Sequence, residues 1–380
     1  MTRARARVTI PAGGFRRIAV LRLSSLGDIV LTLPAVLSLA RAFPGAHISY
    51  WTKEEYRDLV RFEPAIAHVR ALEKDARRIE DLVSMSAELE DCDLIVDLHG
   101  SLRTRVLTFH QKAPVLRAPS GRLRRERWVR ARWSRPAPAP SVLERYAMAL
   151  APVGVRVEDE PRVEAGDEAD AWASAWMREW SPARPPIALC PGARHFTKRW
   201  PESHWLALHD LLDAEGRPLI FFSLESERRA IPALGERVRD DAKARWCTEP
   251  LPRLAALLSH CAMAVTCDSG LMHLAAARGV CVVALFGSTV PELGFAPAGV
   301  GHIVLTRRQP CQPCTLHGRP KCPKQHFRCM VELTPAEVAG AVFRLASSQR
   351  MPDALPPPGP ARRIGTDPPE SSLAGPPGQA

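Results

Sequence analysis

The sequence predicts an α/β protein built from two successive units, each a parallel sheet covered by helices, which meet at a cleft. Three observations carry this. Short apolar runs alternate with amphipathic segments in both halves, as βαβ units require. The alternation weakens between Gly154 and Ala169 into charged and small residues, which suits an inter-domain connection. Polar turns follow directly after apolar runs, where open parallel sheets bind ligands. A chain of 380 residues is long for one domain and comfortable for two; the pattern places them at 15–165 and 183–348.

In chain order, Ile18 to Leu23 reads as a strand and Val30 to Ala42 as mostly helical. His47 to Trp51 and Ala67 to Leu72 are strands. Arg78 to Leu89 is amphipathic, and Asp93 to Asp97 is a buried strand. In the second half, Ile187 to Cys190 is a strand. Pro201 to Ala214 is a helix with proline at its start and Trp205, Leu208, Leu211 and Leu212 on one face. Pro218 to Phe222, Ala262 to Thr266 and Val280 to Phe286 are strands; Leu251 to His260 and Thr334 to Ser347 are helices. The tail, 349–380, is rich in Pro, Gly and Ser, a composition that builds no packed core.

Hydrophobic content of 46% describes an ordinary globular core. No apolar run reaches the roughly 18–20 residues of a membrane span, and no apolar segment follows Arg3, Arg5 and Arg7 as a secretory signal requires. The expected place is the cytosol. A net charge of +11 favours an anionic partner, be it nucleic acid, an acidic membrane surface or a phosphorylated substrate.

Three turns carry candidate chemistry. Ser24-Ser25-Leu26-Gly27-Asp28 runs from strand to helix without the spacing of a dinucleotide fingerprint or a P-loop. Asp28 there is either a helix cap or a catalytic base, and Pro34 moves a simple helix start toward Thr32. Asp268-Ser269-Gly270 opens a small-residue helix, so the amides at its start suit a phosphate. His273, one turn further on, is either structural or functional. Cys190 to Pro201 contains Arg194, Thr197, Lys198 and Arg199 before a helix. That loop suits a diphosphate, against the alternative of a solvated basic loop.

These stretches together resemble the glycosyltransferase family 9 heptosyltransferases. The residues are Ser24 to Asp28 with Leu33-Pro-Ala35, Lys198-Arg-Trp-Pro201, and Asp268 to His273 followed by Ala284 to Thr289. The resemblance spans about Arg17 to Ala346 and implies the GT-B architecture, two Rossmann-like domains facing across a cleft. It implies inverting transfer of heptose from ADP-heptose to the inner core of lipopolysaccharide, with no tightly held metal in the chemistry. Asp28 matches the family's base, with a pKa raised by partial burial. Lys198, Ser269 and Gly270 match the donor diphosphate site, shaped by Asp268 and His273. Arg194 is a weaker match, because Gly192-Ala193-Arg194 stands where some members carry hydroxyl residues. A different donor sugar on the same fold is the alternative.

The acceptor side rests on Ser25 and Gly27, on Arg103 after the Asp93–Asp97 strand, and on the run from Leu116 to Arg135. That run holds eight arginines and one glutamate. Arg122, Arg124 and Arg125 are its candidates for binding carboxylate or phosphate; Trp128 and Trp133 are candidates for a lipid interface. A solvated basic helix and a nucleic-acid patch are the competing readings. The expected partner is a lipid-linked anionic acceptor at the cytosolic face of the inner membrane, with no nucleic acid.

Ten cysteines in a cytosolic chain are expected to be mostly reduced, and six of them are scattered as small core residues. The other four, Cys311, Cys314, Cys322 and Cys329, are spaced C-x2-C-x7-C-x6-C. This spacing admits a tetrahedral zinc site, with His326 as a substitute ligand; free thiols or disulfides are the alternatives. A zinc-containing nucleic-acid-binding protein is the reading from a different class.

Overall fold

The computed structural model describes residues 8–72, 79–130 and 138–348 of the chain. The tail expectation and Trp133 lie outside them. The first sheet contains β1 (Arg17–Leu21), β2 (His47–Lys53), β3 (His68–Leu72), β4 (Leu94–Asp97) and β5 (Val115–Arg117), in the order β3-β2-β1-β4-β5. The second contains β6 (Ile187–Cys190), β7 (Leu219–Phe222), β8 (Ala244–Cys247), β9 (Met263–Cys267), β10 (Cys281–Phe286) and β11 (Ile303–Thr306). Their order is β11-β10-β9-β6-β7-β8. Every pairing is parallel, which is possible only with crossover connections over the sheet faces.

The strands β4, β6, β7 and β9 are buried along their whole length. This is why they read as unbroken apolar runs: helices cover both faces of a parallel sheet. Each such Leu, Ile or Phe side chain contributes about 1.5–3 kcal/mol. The sequence pattern misses β5, β8 and β11, which lie at sheet edges, are short and only partly buried, and so carry Arg117, Arg245 and Thr306. It also misses the helix Asp167–Trp180, whose buried stripe of Ala169, Ala173 and Met177 is too small to stand out. That helix packs on Leu251–Leu258 of the second unit.

In both sheets the chain runs outward on one side of its first strand and then returns to the other side. The order therefore reverses between β1 and β4 and between β6 and β9, the two places where such sheets form a crevice. The units meet at these strand ends. Leu26 lies against Gly270 and Gly27 against His273, Val142 N–H donates to the Gly294 carbonyl, and Ala139 N–H donates to that of Glu292. Among the described residues no helix is long and apolar enough to cross a membrane.

Candidate active site

Asp28 stands on a short helix, Leu26–Val30, that leaves β1; a second helix, Leu33–Ala42, starts after Thr32. The single helix expected here is thus two, and Pro34 sits harmlessly in the first turn of the second. Asp28 Oδ2 accepts from the Ser25 hydroxyl at 2.8 Å and the Ser25 amide at 3.4 Å, so the aspartate does cap its helix. The same oxygen lies 2.8 Å from Nη2 of Arg22, whose Nη1 donates to the Leu98 carbonyl at 2.8 Å. Among the described residues these partners all lie on Oδ2. Oδ1 is left open to a substrate hydroxyl.

The expected raised pKa of Asp28 is wrong in direction. Burial does push it up, but the Arg22 guanidinium, the Ser25 hydrogen bonds and His273 together hold it below the usual carboxylate value. Asp28 is a carboxylate throughout the neutral range, oriented by the contacts that also lower its basicity.

Across the junction, Asp268 follows β9 and is buried. Its Oδ2 lies 2.7 Å from Lys198 Nζ and accepts a short hydrogen bond from the Thr289 hydroxyl. Lys198 and Asp268 are therefore one ion pair, and the carboxylate fixes where the ammonium stands. Ser269, at the start of the eight-residue helix Gly270–Ala277, has a buried hydroxyl without a hydrogen-bond partner among the described residues. So do Ser288 Oγ, after β10, and His273 Nδ1. Buried polar atoms left unpaired at facing strand ends are the groups a polar ligand satisfies.

His273 is 5% exposed, and burial holds its imidazole down to about 4, so it is neutral at pH 7. Its ring rests on Gly27: a Cβ there would lie 2.5 Å from His273 Cδ2. A Cβ on Gly270 would in turn meet Leu26 at 2.9 Å. Gly27 and Gly270 thus let the two turns approach, a role that the expected acceptor contact for Gly27 did not include. Arg194 is exposed, and its charge reaches the Tyr56 phenol of the first unit.

The arginine run divides. Arg122 and Arg124 are exposed on the helix Arg122–Arg130, and Arg122 pairs with Glu126 at 2.7 Å. Arg103 is exposed at the start of Leu102–Leu107. Arg125 is buried, and Trp128 packs with Val290 and Leu293 of the second unit instead of facing a lipid interface. Arg125 Nη2 and Arg145 Nη1 both donate to the Ser120 carbonyl, at 2.8 and 3.1 Å. Both guanidiniums also lie over the Phe295 ring, 5.4 and 5.7 Å from its centroid. Among the described residues neither has a carboxylate partner. Burial, with Arg145 next to it, lowers Arg125 to about 10; burial also lowers Arg145. Two buried like charges with no carboxylate in contact among the described residues, and only the charge of Asp28 acting on both from further off, favour an anion.

The sequence alone assigns no role to Arg22 or Arg145, and none to Thr289 beyond its place in the Ala284–Thr289 stretch. Arg145 left a signal: it occupies the apolar stripe of Val142–Leu150, beside Val142, Tyr146 and Ala149. Arg22 has none beyond its position just after β1. The cysteines are all free thiols. Among the described residues no three metal-ligating side chains are already gathered in coordinating geometry.

Residues 83–323 match the model of glycosyltransferase family 9 (heptosyltransferase). Lipopolysaccharide heptosyltransferase 1 of Pseudomonas aeruginosa is 29% identical over 324 residues, 78% of this chain and 86% of that protein. Lipopolysaccharide heptosyltransferase 2 of Escherichia coli is 35% identical over 123 residues, 31% of this chain and 34% of its own length. A family 9 glycosyltransferase structure from Veillonella parvula superposes with a TM-score of 0.73 at 21% identity, covering 88% of this chain and 98% of its own. The ADP-heptose heptosyltransferase II structure from E. coli gives 0.67 at 20% identity, covering 88% and 100%. The two facing parallel sheets are those of the GT-B fold. With its family model matched over 83–323, which takes in the turns after β6 and β9, the chain belongs to glycosyltransferase family 9, the heptosyltransferases.

Proposed function

We propose that the chain transfers heptose from ADP-heptose, with inversion, to an anionic lipid-linked acceptor of the lipopolysaccharide inner core. The observation that carries this is the facing of Asp28, an ionised carboxylate with one open oxygen, and the Lys198–Asp268 pair beside the start of Gly270–Ala277. Donor and acceptor then meet at the junction of the two units.

The chemistry follows from charge and position. Asp28 Oδ1 takes the proton from the acceptor hydroxyl as its oxygen attacks the anomeric carbon. The bond to the diphosphate breaks on the opposite face, and ADP leaves as an anion. Lys198, held by Asp268, and the amides at the Gly270 helix start stabilise that charge. Neutral His273 lies within electrostatic reach of Asp268, Asp28 and Lys198, and its Nδ1 has no hydrogen-bond partner among the described residues. On the acceptor side, Arg125 and Arg145 supply the buried positive site that a sugar carboxylate or phosphate fits. Exposed Arg103, Arg122 and Arg124 suit the remaining charge of a lipid-linked acceptor at the cytosolic face of the inner membrane. Nucleic acid has no part in this reading.

A transfer assay with ADP-heptose and a panel of truncated lipopolysaccharide acceptors tests it. Asp28→Ala is expected to lower turnover about 10²–10⁴-fold while ADP still binds. Unchanged turnover removes Asp28 as the base; transfer from a different nucleotide sugar in preference to ADP-heptose removes the donor assignment.

A further inference from the structure

We infer that Cys311, Cys314, Cys322 and Cys329 form a tetrahedral thiolate metal site whose work is to hold the loops that carry Lys198 and Thr289. All four cysteines, with His326, line one cavity between the segment Cys311–Cys329 and the loop ends at Thr197, Gly287 and Ser288. Cys311 Sγ lies 3.7 Å from His326 Nε2. The four thiols line this cavity but do not stand at coordinating distances, so metal binding requires their side chains to rotate toward one another. Four thiolates at C-x2-C-x7-C-x6-C suit a tetrahedral zinc or iron ion.

The segment needs such a centre. From Arg307 to Phe327 it contains no helix or strand. Gln325 and Phe327 nonetheless have φ of 61° and 46°, the left-handed region that side chains of this size seldom occupy. Backbone of that kind persists only where its surroundings over-determine it. Lys324 is also at the cavity wall, and Arg319 and Lys321 stand close in sequence, cations that offset the negative charge of four thiolates around a divalent ion. Binding releases the four thiol protons to solvent, and no electron is transferred.

The same segment is tied to the donor side. Cys314 N–H donates to the Ser288 carbonyl at 3.1 Å, and Gln312 Nε2 donates to the Thr289 carbonyl at 3.0 Å. Arg319 N–H donates to the Thr197 hydroxyl at 2.8 Å, and Thr197 N–H returns a bond to the Arg319 carbonyl at 3.2 Å. Thr197 precedes Lys198, and Thr289 bonds Asp268. An ion at the cysteines therefore fixes both loops that hold the Lys198–Asp268 pair. Its consequence for donor binding rests on the function proposed above; the metal site itself does not.

The test is metal analysis of the full chain, purified reduced and without a metal-binding tag. About one zinc or iron per chain is expected. Cobalt added after chelator treatment is expected to give the absorption of a tetrahedral thiolate complex. Cys311→Ser with Cys314→Ser removes both signals, and His326→Ala keeps them. ADP affinity falls about tenfold or more on metal removal, as expected when a charged contact is lost. A reduced wild-type chain that holds no metal and develops no cobalt spectrum overturns the site, as does metal retained by the double cysteine variant. If that variant fails to fold, the stripped wild-type chain still decides. Full heptose transfer by metal-free protein with unchanged ADP affinity overturns the link to the donor loops and leaves the transfer reaction standing.

Discussion

Gly27→Ala is the smallest change that tests how the two units meet. The added methyl would lie 2.5 Å from His273 Cδ2, against 3.4–4 Å for an ordinary contact. The turns must therefore part by about 1 Å, because a buried ring has no free space to swing into. A displacement of that size at the reacting atoms costs about 10²-fold in rate, and the overpacking costs about 1–3 kcal/mol of stability. Initial rates at saturating ADP-heptose, together with thermal unfolding, measure both. His273→Ala removes the obstacle, so the double variant should be no slower than His273→Ala alone. Wild-type turnover and Tm in Gly27→Ala would refute the argument. So would a double variant whose loss is the product of the two single losses, since residues in contact are not additive.

Four further outcomes follow from the charges. Asp28 is held below the usual carboxylate value and His273 at about 4, so kcat/KM for the donor should show no acid limb from either group between about pH 5 and 8. A limb near neutrality that disappears in Asp28→Asn would contradict this. Stability should behave differently over the same range. His273 is neutral when folded, so the unfolded chain binds the extra proton below its ordinary value of 6.5. Its contribution, up to about 3 kcal/mol, is present above that pH and is lost as pH falls toward 4; a Tm in His273→Ala with the same pH slope as wild type would disprove it. Lys198→Met leaves Asp268 buried without its partner and should cost about 3–5 kcal/mol. Adding Asp268→Asn should restore Tm but not ADP affinity, as unfolding and calorimetry would show. Arg125→Met relieves repulsion with Arg145, so Tm without substrate should hold or rise while the acceptor KM increases about 10–100-fold. A fall in Tm with unchanged KM would make Arg125 a structural residue.

Much of the molecule is legible in its sequence, for physical reasons. Strands such as Ile187–Cys190 and Leu219–Phe222 are buried on both faces, so every position must be apolar and the run stands out. The turns after β1 and β9 are legible because strand ends of a parallel sheet expose backbone that small polar residues serve. Edge strands and the Asp167–Trp180 helix are not, since partial burial and small side chains leave weak periodicity. Composition and order thus determined two sheets, the turns that could hold chemistry, and the family those turns resemble. Only the tertiary structure decided what each turn faces. It placed Arg22 on Asp28, which reversed the expected pKa shift, and Asp268 on Lys198. It put Gly27 beneath His273 and turned Arg125 inward to join Arg145. Each of these pairs joins residues far apart in sequence or on different turns of the backbone. Coulomb energy and steric overlap depend on the distance between atoms, and no spacing along the chain specifies it.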